Sequence, residues 1–343
     1  MKLSFPARVV RGAGVVVPIA AASVALALSP AAGAAKTKKS SAAENKPISI
    51  TVGYIGGAQS SQTKLTGPEG FAYSKGLLQK WLKPYKVTIK STAPFGNGPL
   101  LTAALVGGSI QLGEIGDTPA IVGESPVSGS GDNTRIINQA TVGLQSVLIT
   151  QTSITNLAQL AGKDIYRQPQ SYMDRWVQAF LKSKGLLSHV SLAPGLLAQF
   201  IPEFNSGQIP DLVLPPADLP LITAKHNTLE NSVNTPQWNG TSVTEVTAAA
   251  LKQDPGLPAA WNYARALAIE YAKAHQTAYY AFEAKQVQTT PALARKYYSL
   301  ADVPAENFTP SGLDHLRGTL AFLVGQNEAK NFSIASWQTP VGH

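Results

Sequence analysis

The segment between residues 107 and 119 constrains the fold of this chain more than any other stretch. Gly107 and Gly108 are suited to end a helix that begins near Pro99, because glycine adopts the left-handed C-terminal conformation at little cost. The apolar residues within 110–115 then predict a short strand, and a new helix follows it. Such a helix–strand–helix passage is typical of an α/β domain.

The turn at residues 116–119, with the sequence Gly-Asp-Thr-Pro, starts this next helix. Asp117 or Thr118 is predicted as the N-cap, and Pro119 suits the first turn, where no backbone N–H is needed. Free N–H groups and the helix dipole favour an anion at such a position. Ligands of open α/β sheets bind at the carboxyl ends of the strands, so we predict that this turn contributes to a binding site.

Strands and helices alternate on both sides of this segment. Alternating apolar residues predict strands at residues 48–54 and 87–91, and a polar, glycine-bearing loop and a helix follow each one. Residues 135–140 and 145–150 are predicted as two more strands, where the chain is expected to cross between lobes. From about residue 240 the pattern is mainly helical. The alternation predicts an α/β fold with mostly parallel strands.

The N-terminus has the layout of a secretory signal peptide. Three basic residues among the first eleven precede the apolar residues 12–28, and small residues follow. We predict a signal peptide at residues 1–35 and a flexible arm at residues 36–46. A membrane anchor is the alternative, but the small residues and the polar tract favour cleavage. The chain has no cysteine to carry a lipid, so the protein is expected to be periplasmic or extracellular, secreted and not lipid-anchored.

The net charge narrows the range of partners. It falls from +8 to +5 when the basic residues of the signal peptide are removed, and part of the remainder lies in the arm at residues 36–39. A basic tail can contact nucleic acid or membranes. An exported protein meets little nucleic acid, so no nucleic-acid partner is expected. The modest positive charge favours anionic ligands.

The sequence contains no recognisable motif for a metal, a cofactor or an activated nucleophile. The histidines stand far apart, without the i, i+4 pair of a zinc-binding helix, so neither a metal site nor a cofactor is predicted. Cysteine nucleophiles and the Gly-x-Ser-x-Gly elbow are absent from the sequence. An acid–base pair needs no local motif, so an enzyme built from distant residues stays an alternative.

Polar loops at the predicted strand ends are the candidate ligand-binding elements. Each loop alone is more often an ordinary turn, but their shared position at carboxyl ends favours binding. The candidate residues are Gln59, Ser60, Asn97, Gly98, Asp117, Thr118, Thr141, Ser171, Tyr172 and Arg175.

These features resemble the solute-binding proteins of ABC importers, in the branch for aliphatic sulfonates, taurine and nitrate. The most specific part is residues 98–119, where the family has Gly-Pro, a short helix, a strand and then Gly-Asp-x-Pro. Residues 157–185 and 204–209 resemble two further passages of the family. The resemblance spans nearly the whole mature chain.

The resemblance implies an α/β, two-lobed, periplasmic-binding-protein-like fold of type II, with two crossings between the lobes. Lobe 1 would comprise residues 47–145 and 236–343, and lobe 2 residues 146–235. The implied protein is a monomer and not an enzyme, and it docks transiently on an ABC permease. Its implied function is to capture a small organic anion, foremost an alkanesulfonate or taurine-like compound, by hinge closure.

The resemblance also implies roles for several candidates. Asp117 and Thr118 match the Gly-Asp-x-Pro turn, and Ser171 matches a serine of the family. Asp117 would repel an anion, so we assign it to turn geometry and expect Thr118 and nearby amides to face the ligand. Arg175 is able to reach an anion or to pair with an acid such as Asp174.

Departures from the family pattern occur at Gln170, Asp174 and Pro215–Pro216. They leave the ligand open between a sulfonate, a sulfate ester, nitrate and a thiamine-precursor-like molecule. An enzyme on the same scaffold is a further alternative, although pyrimidine-synthesising relatives use a cysteine that this chain lacks. A signalling or scaffolding protein, which would use ligand closure to present a surface, is the third class of function.

Overall fold

The computed structural model describes residues 46–56, 64–125 and 133–339. All of them belong to the same structural unit, Ser40–His343. The predicted signal peptide and nearly all of the predicted arm lie outside the described residues. In the described part of the chain, no helix is both long and apolar enough to cross a membrane.

A five-stranded sheet forms the centre of one half of the described chain. Its strands are β1 Ile48–Ile55, β2 Val87–Phe95, β3 Leu112–Gly116, β4 Thr134–Leu144 and β10 Gly240–Thr247. The spatial order is β2-β1-β3-β10-β4. β1 pairs in parallel with β2 and β3, whereas β10 runs antiparallel to β3 and β4. The chain leaves this sheet after β4 and returns to it in β10. β10 lies between β3 and β4 and runs opposite to the other four strands.

Helices cover both faces of this sheet, because its strands carry buried apolar residues on both sides. One face packs against α1 Gly67–Ser74, α2 Leu77–Leu82, α7 Ala248–Gln253 and α8 Leu257–Ala274. The other face packs against α3 Gly98–Val106, α4 Asp117–Glu124, α11 Pro310–Gly325 and α12 Ile334–Trp337. α9 Gln276–Gln286 and α10 Pro291–Tyr297 follow α8 and pack with Phe71 of α1.

Two smaller sheets form the second half. Their strands are β5 Val147–Gln151, β6 Asp164–Arg167, β7 Ser191–Pro194, β8 Asp211–Leu214 and β9 His226–Asn231. β5 lies between β8 and β9 and runs antiparallel to both, and β6 pairs with β7 in parallel. Side chains of β5 alternate between two clusters, because successive strand residues point to opposite faces. Leu148 packs with α5 Tyr172–Ser183, and Ile149 packs with α6 Leu197–Asn205.

The chain passes between the two halves twice, after β4 and again before β10. The two crossings are tied together, since Ser146 N donates to Ser232 Oγ at 2.8 Å and Ser232 N donates to Ser146 O at 2.9 Å. Both serines are fully buried. The fold is therefore α/β and two-lobed with two crossings. The predicted lobe boundaries at 145/146 and 235/236 lie in these connections and stay a prediction.

Local predictions succeed where a side chain determines the backbone and fail where tertiary contacts do. Ser171 and Asp174 have the spacing of a capping box, which predicts a helix start, and Ser171 does cap α5, with its Oγ accepting from Asp174 N at 3.1 Å. The prediction that Asp117 or Thr118 caps α4 is wrong, because Gly116 is the N-cap and Asp117 is the first helical residue. The carboxylate of Asp117 instead points toward groups distant in sequence, described below.

Candidate functional site

A cavity of about 590 Å³ lies where the two halves face each other. The large sheet contributes the carboxyl ends of its strands, including Tyr54, Gly116 and Thr141. The second half contributes the start of α5 and the segment after β8, residues 215–218. α9, α10 and the residues after α10 close a third side. Ligands bind at such strand ends in open α/β sheets, so this cavity is the candidate site.

Tyr172, the first residue of α5, packs against the strand that returns to the large sheet. A Cβ atom placed on Gly240 would lie 2.6 Å from the Tyr172 side chain, and one on Gly116 would lie 3.8 Å from it. The absence of a side chain at Gly240 therefore lets this ring approach the backbone of β10. Tyr172 lines the cavity together with four more tyrosines, Tyr54, Tyr279, Tyr297 and Tyr298.

The charged groups that line the cavity are mostly acidic. The described lining holds four carboxylates and one cationic side chain, Lys296. Lys296 is exposed and lies over the ring of Tyr297, 4.9 Å from its centroid. The carboxylates belong to Glu114, Asp218, Glu283 and Asp302.

Glu283 on α9 is the most deeply buried of these acids, with an exposed fraction of 0%. Its Oε1 accepts from Gly67 N at 2.9 Å, whereas its Oε2 is a buried oxygen without a hydrogen-bond partner among the described residues. Burial raises the pKa of Glu283 to about 8, and the negative charges of Glu114 and Glu69 add to this shift. The hydrogen bond from Gly67 N opposes it.

Glu114 on β3 is the second acid of this group. Ser242 Oγ donates to its Oε1 at 3.0 Å. Burial and the charge of Glu69 raise the pKa of Glu114 to about 7, against the effects of Ser242 and Arg265. Arg265 itself pairs with Glu69 at 3.1 Å and donates to two backbone carbonyls of β4. Glu69 and Glu114 therefore share one buried guanidinium.

Asp218 lies on the opposite side, after β8, and is also buried. Burial and the charges of Asp218 and Asp117 raise the pKa of Tyr172. Burial and the charge of Asp218 likewise raise the pKa of Tyr298. Asp218 thus acts on tyrosines from both halves of the cavity wall.

Asp117 and Arg175 form a separate polar cluster behind the cavity. Asp117 Oδ2 accepts from the Arg175 guanidinium at 3.1 Å and from Thr319 Oγ1 at 3.2 Å, and His315 Nε2 lies 2.9 Å away. Arg175 also donates to Asn239 O at 2.9 Å. Burial disfavours the charge of Asp117, but Arg175 and His315 outweigh it and lower its pKa to about 2.

The structure brings four of the predicted site residues to the cavity wall, namely Gly98, Thr141, Ser171 and Tyr172. Asn97 caps α3, with Oδ1 accepting from Leu100 N at 2.9 Å. Thr118 is buried, and its hydroxyl donates to Asp117 Oδ1 at 3.1 Å instead of facing the cavity. Asp117 and Arg175 pair with each other and are not among the lining residues.

Gln59 and Ser60 lie outside the described residues, so their predicted position at the site stays a prediction. Sequence reasoning missed Glu114, Asp218, Glu283 and Tyr298. An isolated acid in the apolar strand before Gly116 was a signal for Glu114. Glu283 lies within α9 and Tyr298 directly follows α10, and the sequence pattern of these helices gives no such signal.

The described part of the chain contains no cluster of three or more histidine, aspartate or glutamate side chains that could hold a metal ion. The predicted absence of a metal and of a cofactor therefore stays a prediction for the whole protein. What the cavity offers is tyrosine rings, apolar side chains and carboxylates that could hold an organic molecule.

No family model matches this chain, and no curated protein matches it by sequence. Solved structures do resemble it in fold. The alkanesulfonate-binding protein SsuA from Xanthomonas axonopodis pv. citri, bound to MOPS, superposes with a TM-score of 0.68 at 17% identity, covering 85% of this chain and 98% of that one. The periplasmic aliphatic sulphonate binding protein SsuA from Escherichia coli gives 0.67 at 16% identity, covering 86% and 98%.

An enzyme shares the same architecture. The desulfurization enzyme DSZB superposes with a TM-score of 0.62 at 13% identity, covering 85% of this chain and 97% of that one. Identities this low establish the fold and leave the activity open. This chain therefore has the periplasmic-binding-protein fold, in the form seen in structures of SsuA alkanesulfonate-binding proteins.

Proposed function

We propose that this protein is an exported solute-binding receptor of an ABC importer. It captures a small organic molecule in the cavity between its two lobes and delivers it to a membrane permease. The observation that carries the proposal is the cavity of about 590 Å³, which is lined from both halves of a fold that crosses between them twice. The two SsuA proteins that share this fold are also binding proteins.

The proposed mechanism is closure of the two lobes over the ligand. A ligand that contacts Thr141 and Ser242 on one side and Ser171 and Asp218 on the other gains contacts only when the lobes approach. Such a ligand binds the closed state better and shifts the population toward it. The paired crossings at Ser146 and Ser232 are the proposed hinge.

An enzyme on this scaffold is the second candidate, because a desulfurization enzyme shares the fold. The chain has no cysteine, so covalent chemistry through a thiolate is impossible. The carboxylates of the cavity could serve as acids or bases. A receptor leaves its ligand unchanged, which separates the two candidates by experiment.

The testing experiment is a thermal-shift screen of the purified protein against anionic, cationic, zwitterionic and neutral metabolites. A ligand at a hundredfold excess over its dissociation constant stabilises the folded state by about 2.7 kcal/mol, which is readily detected. We expect one class to raise the melting temperature, to reduce the radius of gyration in small-angle scattering, and to be recovered unchanged. Stabilisation by none of the classes, or turnover of the solute, would contradict the proposal.

A further inference from the structure

The charge of the cavity differs from what a receptor for simple anions needs. An anion entering it would meet Glu114, Asp218, Glu283 and Asp302, with Lys296 as the one opposing charge in the described lining. The two buried guanidiniums nearby are already occupied. Arg175 pairs with Asp117, and Arg265 pairs with Glu69.

The buried carboxylate of Glu283 has a free bonding position. Its Oε2 is buried and has no partner in the described structure, although the residue lines the cavity. An ionised oxygen without a partner costs free energy, so the ionised form of Glu283 is favoured when a cationic donor reaches Oε2 from the cavity, with release of the carboxyl proton. The charge of Glu114 acts on the same group. Glu283 and Glu114 therefore line the same cavity and interact electrostatically with each other.

The remaining lining determines what kind of cation fits. The volume of about 590 Å³ is that of an organic molecule, and the wall includes Leu65, Ile115 and Ile201 in addition to the tyrosines. Tyrosine faces attract organic ammonium groups through the ring quadrupole. Asp218 also lines the cavity and interacts electrostatically with Tyr172 and Tyr298.

We propose that the cavity binds an organic cation, a protonated or quaternary amine with an apolar or aromatic substituent, with Glu283 and Glu114 as its counter-charges. The inference rests on the proposed receptor function and names its substrate class. The ammonium group lies between Glu283 Oε2 and the tyrosine rings, and the apolar substituent lies along the aliphatic wall. It replaces the small organic anion that the family resemblance implies.

The test compares three molecules that share a phenylpropyl group and differ in the charge of their polar end. Phenylpropylammonium, phenylpropanesulfonate and phenylpropanol are titrated into the purified protein by calorimetry at about pH 8.5, above the pKa of Glu283. We expect the ammonium compound to bind at least about tenfold more tightly than the sulfonate, with the alcohol in between. Glu283→Gln keeps the shape and the acceptor for Gly67 N but removes the charge.

The variant separates charge recognition from general packing. Glu283→Gln is expected to lower the affinity for the ammonium compound about tenfold and to change the affinity for the alcohol by less than about twofold. Glu270→Gln removes the same charge from an exposed position on α8 that does not line the cavity, and is expected to change neither affinity. Equal losses for the ammonium compound in both variants would overturn the inference, because they would show only long-range attraction.

Two failures can be told apart. Tighter binding of the sulfonate, with compaction in small-angle scattering, would overturn the cationic substrate class and leave the receptor function standing. Binding of the ammonium compound that Glu283→Gln does not weaken would also overturn the inference. Failure of every compound in the wider metabolite screen would instead contradict the receptor function itself.

Discussion

The Arg175 guanidinium on α5 donates to Asp117 Oδ2 on α4 at 3.1 Å, with both side chains almost completely buried. α4 packs on the five-stranded sheet, and α5 packs on the smaller sheets. This ion pair therefore joins elements of the two halves beside the cavity. Arg175 also donates to Asn239 O, directly before β10, so the pair holds the second crossing as well.

Removing the arginine should be costly, because it leaves Asp117 charged and buried. We expect Arg175→Met to lower the free energy of unfolding by about 3–5 kcal/mol, measured by urea denaturation. Adding Asp117→Asn should recover part of this loss, since the uncompensated charge is then gone. Arg317→Met is the matched control, because Arg317 pairs with Asp314 on the exposed surface of α11 and should cost less than about 1 kcal/mol. A loss in Arg175→Met no larger than in the control would contradict this account of the pair.

The buried acids predict that stability falls as the pH rises. Burial raises the pKa of Glu245 to about 8, against the hydrogen bond from Thr134 and with the charge of Glu124. The folded state then holds a proton that the unfolded state releases near its ordinary glutamate pKa. The contribution of this proton to the free energy of unfolding is fully present below about pH 4. It decreases as the pH rises from about 4 to about 8, by about 1.4 kcal/mol per pH unit.

Urea denaturation between about pH 5 and about pH 8 measures this slope. Glu245→Gln, which mimics the neutral carboxyl, should make the free energy of unfolding less dependent on pH. Glu230→Gln is the control, because it removes a carboxyl that is only partly buried. An unchanged slope in Glu245→Gln would show that another group holds the proton.

Ligand affinity should rise over the same pH range if the ligand is a cation. Glu283, whose pKa burial raises to about 8, faces Glu69, Glu114, Tyr279 and Tyr298. A cation favours the ionised form, so binding releases a proton below this pKa. We expect the affinity for benzyltrimethylammonium, which does not titrate, to rise about tenfold from pH 6 to pH 8 and then to level off.

Calorimetry in two buffers with different ionisation enthalpies measures the released proton directly. In Glu283→Gln both the proton release and the pH dependence should shrink. Affinity that falls with rising pH would contradict the placement of the cation beside Glu283.

Gly98 lies at the cavity wall in a place where a larger side chain would clash with Pro119. A Cβ atom added there would lie 2.4 Å from the Pro119 side chain, at the point where the starts of α3 and α4 meet. We expect Gly98→Ala to lower the free energy of unfolding by about 1–3 kcal/mol, because the two helix starts must separate. Gly318→Ala in α11, where a Cβ meets nothing within 4 Å, should be neutral or stabilising. Equal stability of the two variants in urea denaturation would contradict the close contact.

The sequence predicted those features that depend on local patterns. The alternation of strands and helices led to the α/β fold, and the spacing of Ser171 and Asp174 marked the start of α5 correctly. The expectation of mostly parallel strands is wrong, because β10 pairs antiparallel with β3 and β4, and β5 pairs antiparallel with β8 and β9. Gly98, Thr141, Ser171 and Tyr172, chosen because they follow predicted strands, line the cavity, and their contact with a ligand stays a prediction.

Features that depend on distant partners were not predictable in this way. Asp117 meets Arg175, His315 and Thr319, which lie 58, 198 and 202 residues away in sequence. No local pattern indicates that these partners withdraw Asp117, Thr118 and Arg175 from the cavity. Glu283 lies in a helix whose apolar residues are not gathered on one face, so the sequence does not show which side is buried, and the burial of Glu283 results from tertiary packing.

A crystal structure of the protein grown with benzyltrimethylammonium is the most direct test of a cation site in the cavity. We expect one ligand in the cavity, contacting residues of both halves, with its nitrogen near Glu283 and within about 6 Å of a tyrosine ring centroid. An empty cavity at a ligand concentration that saturates binding in solution, or a ligand bound elsewhere on the surface, would contradict it.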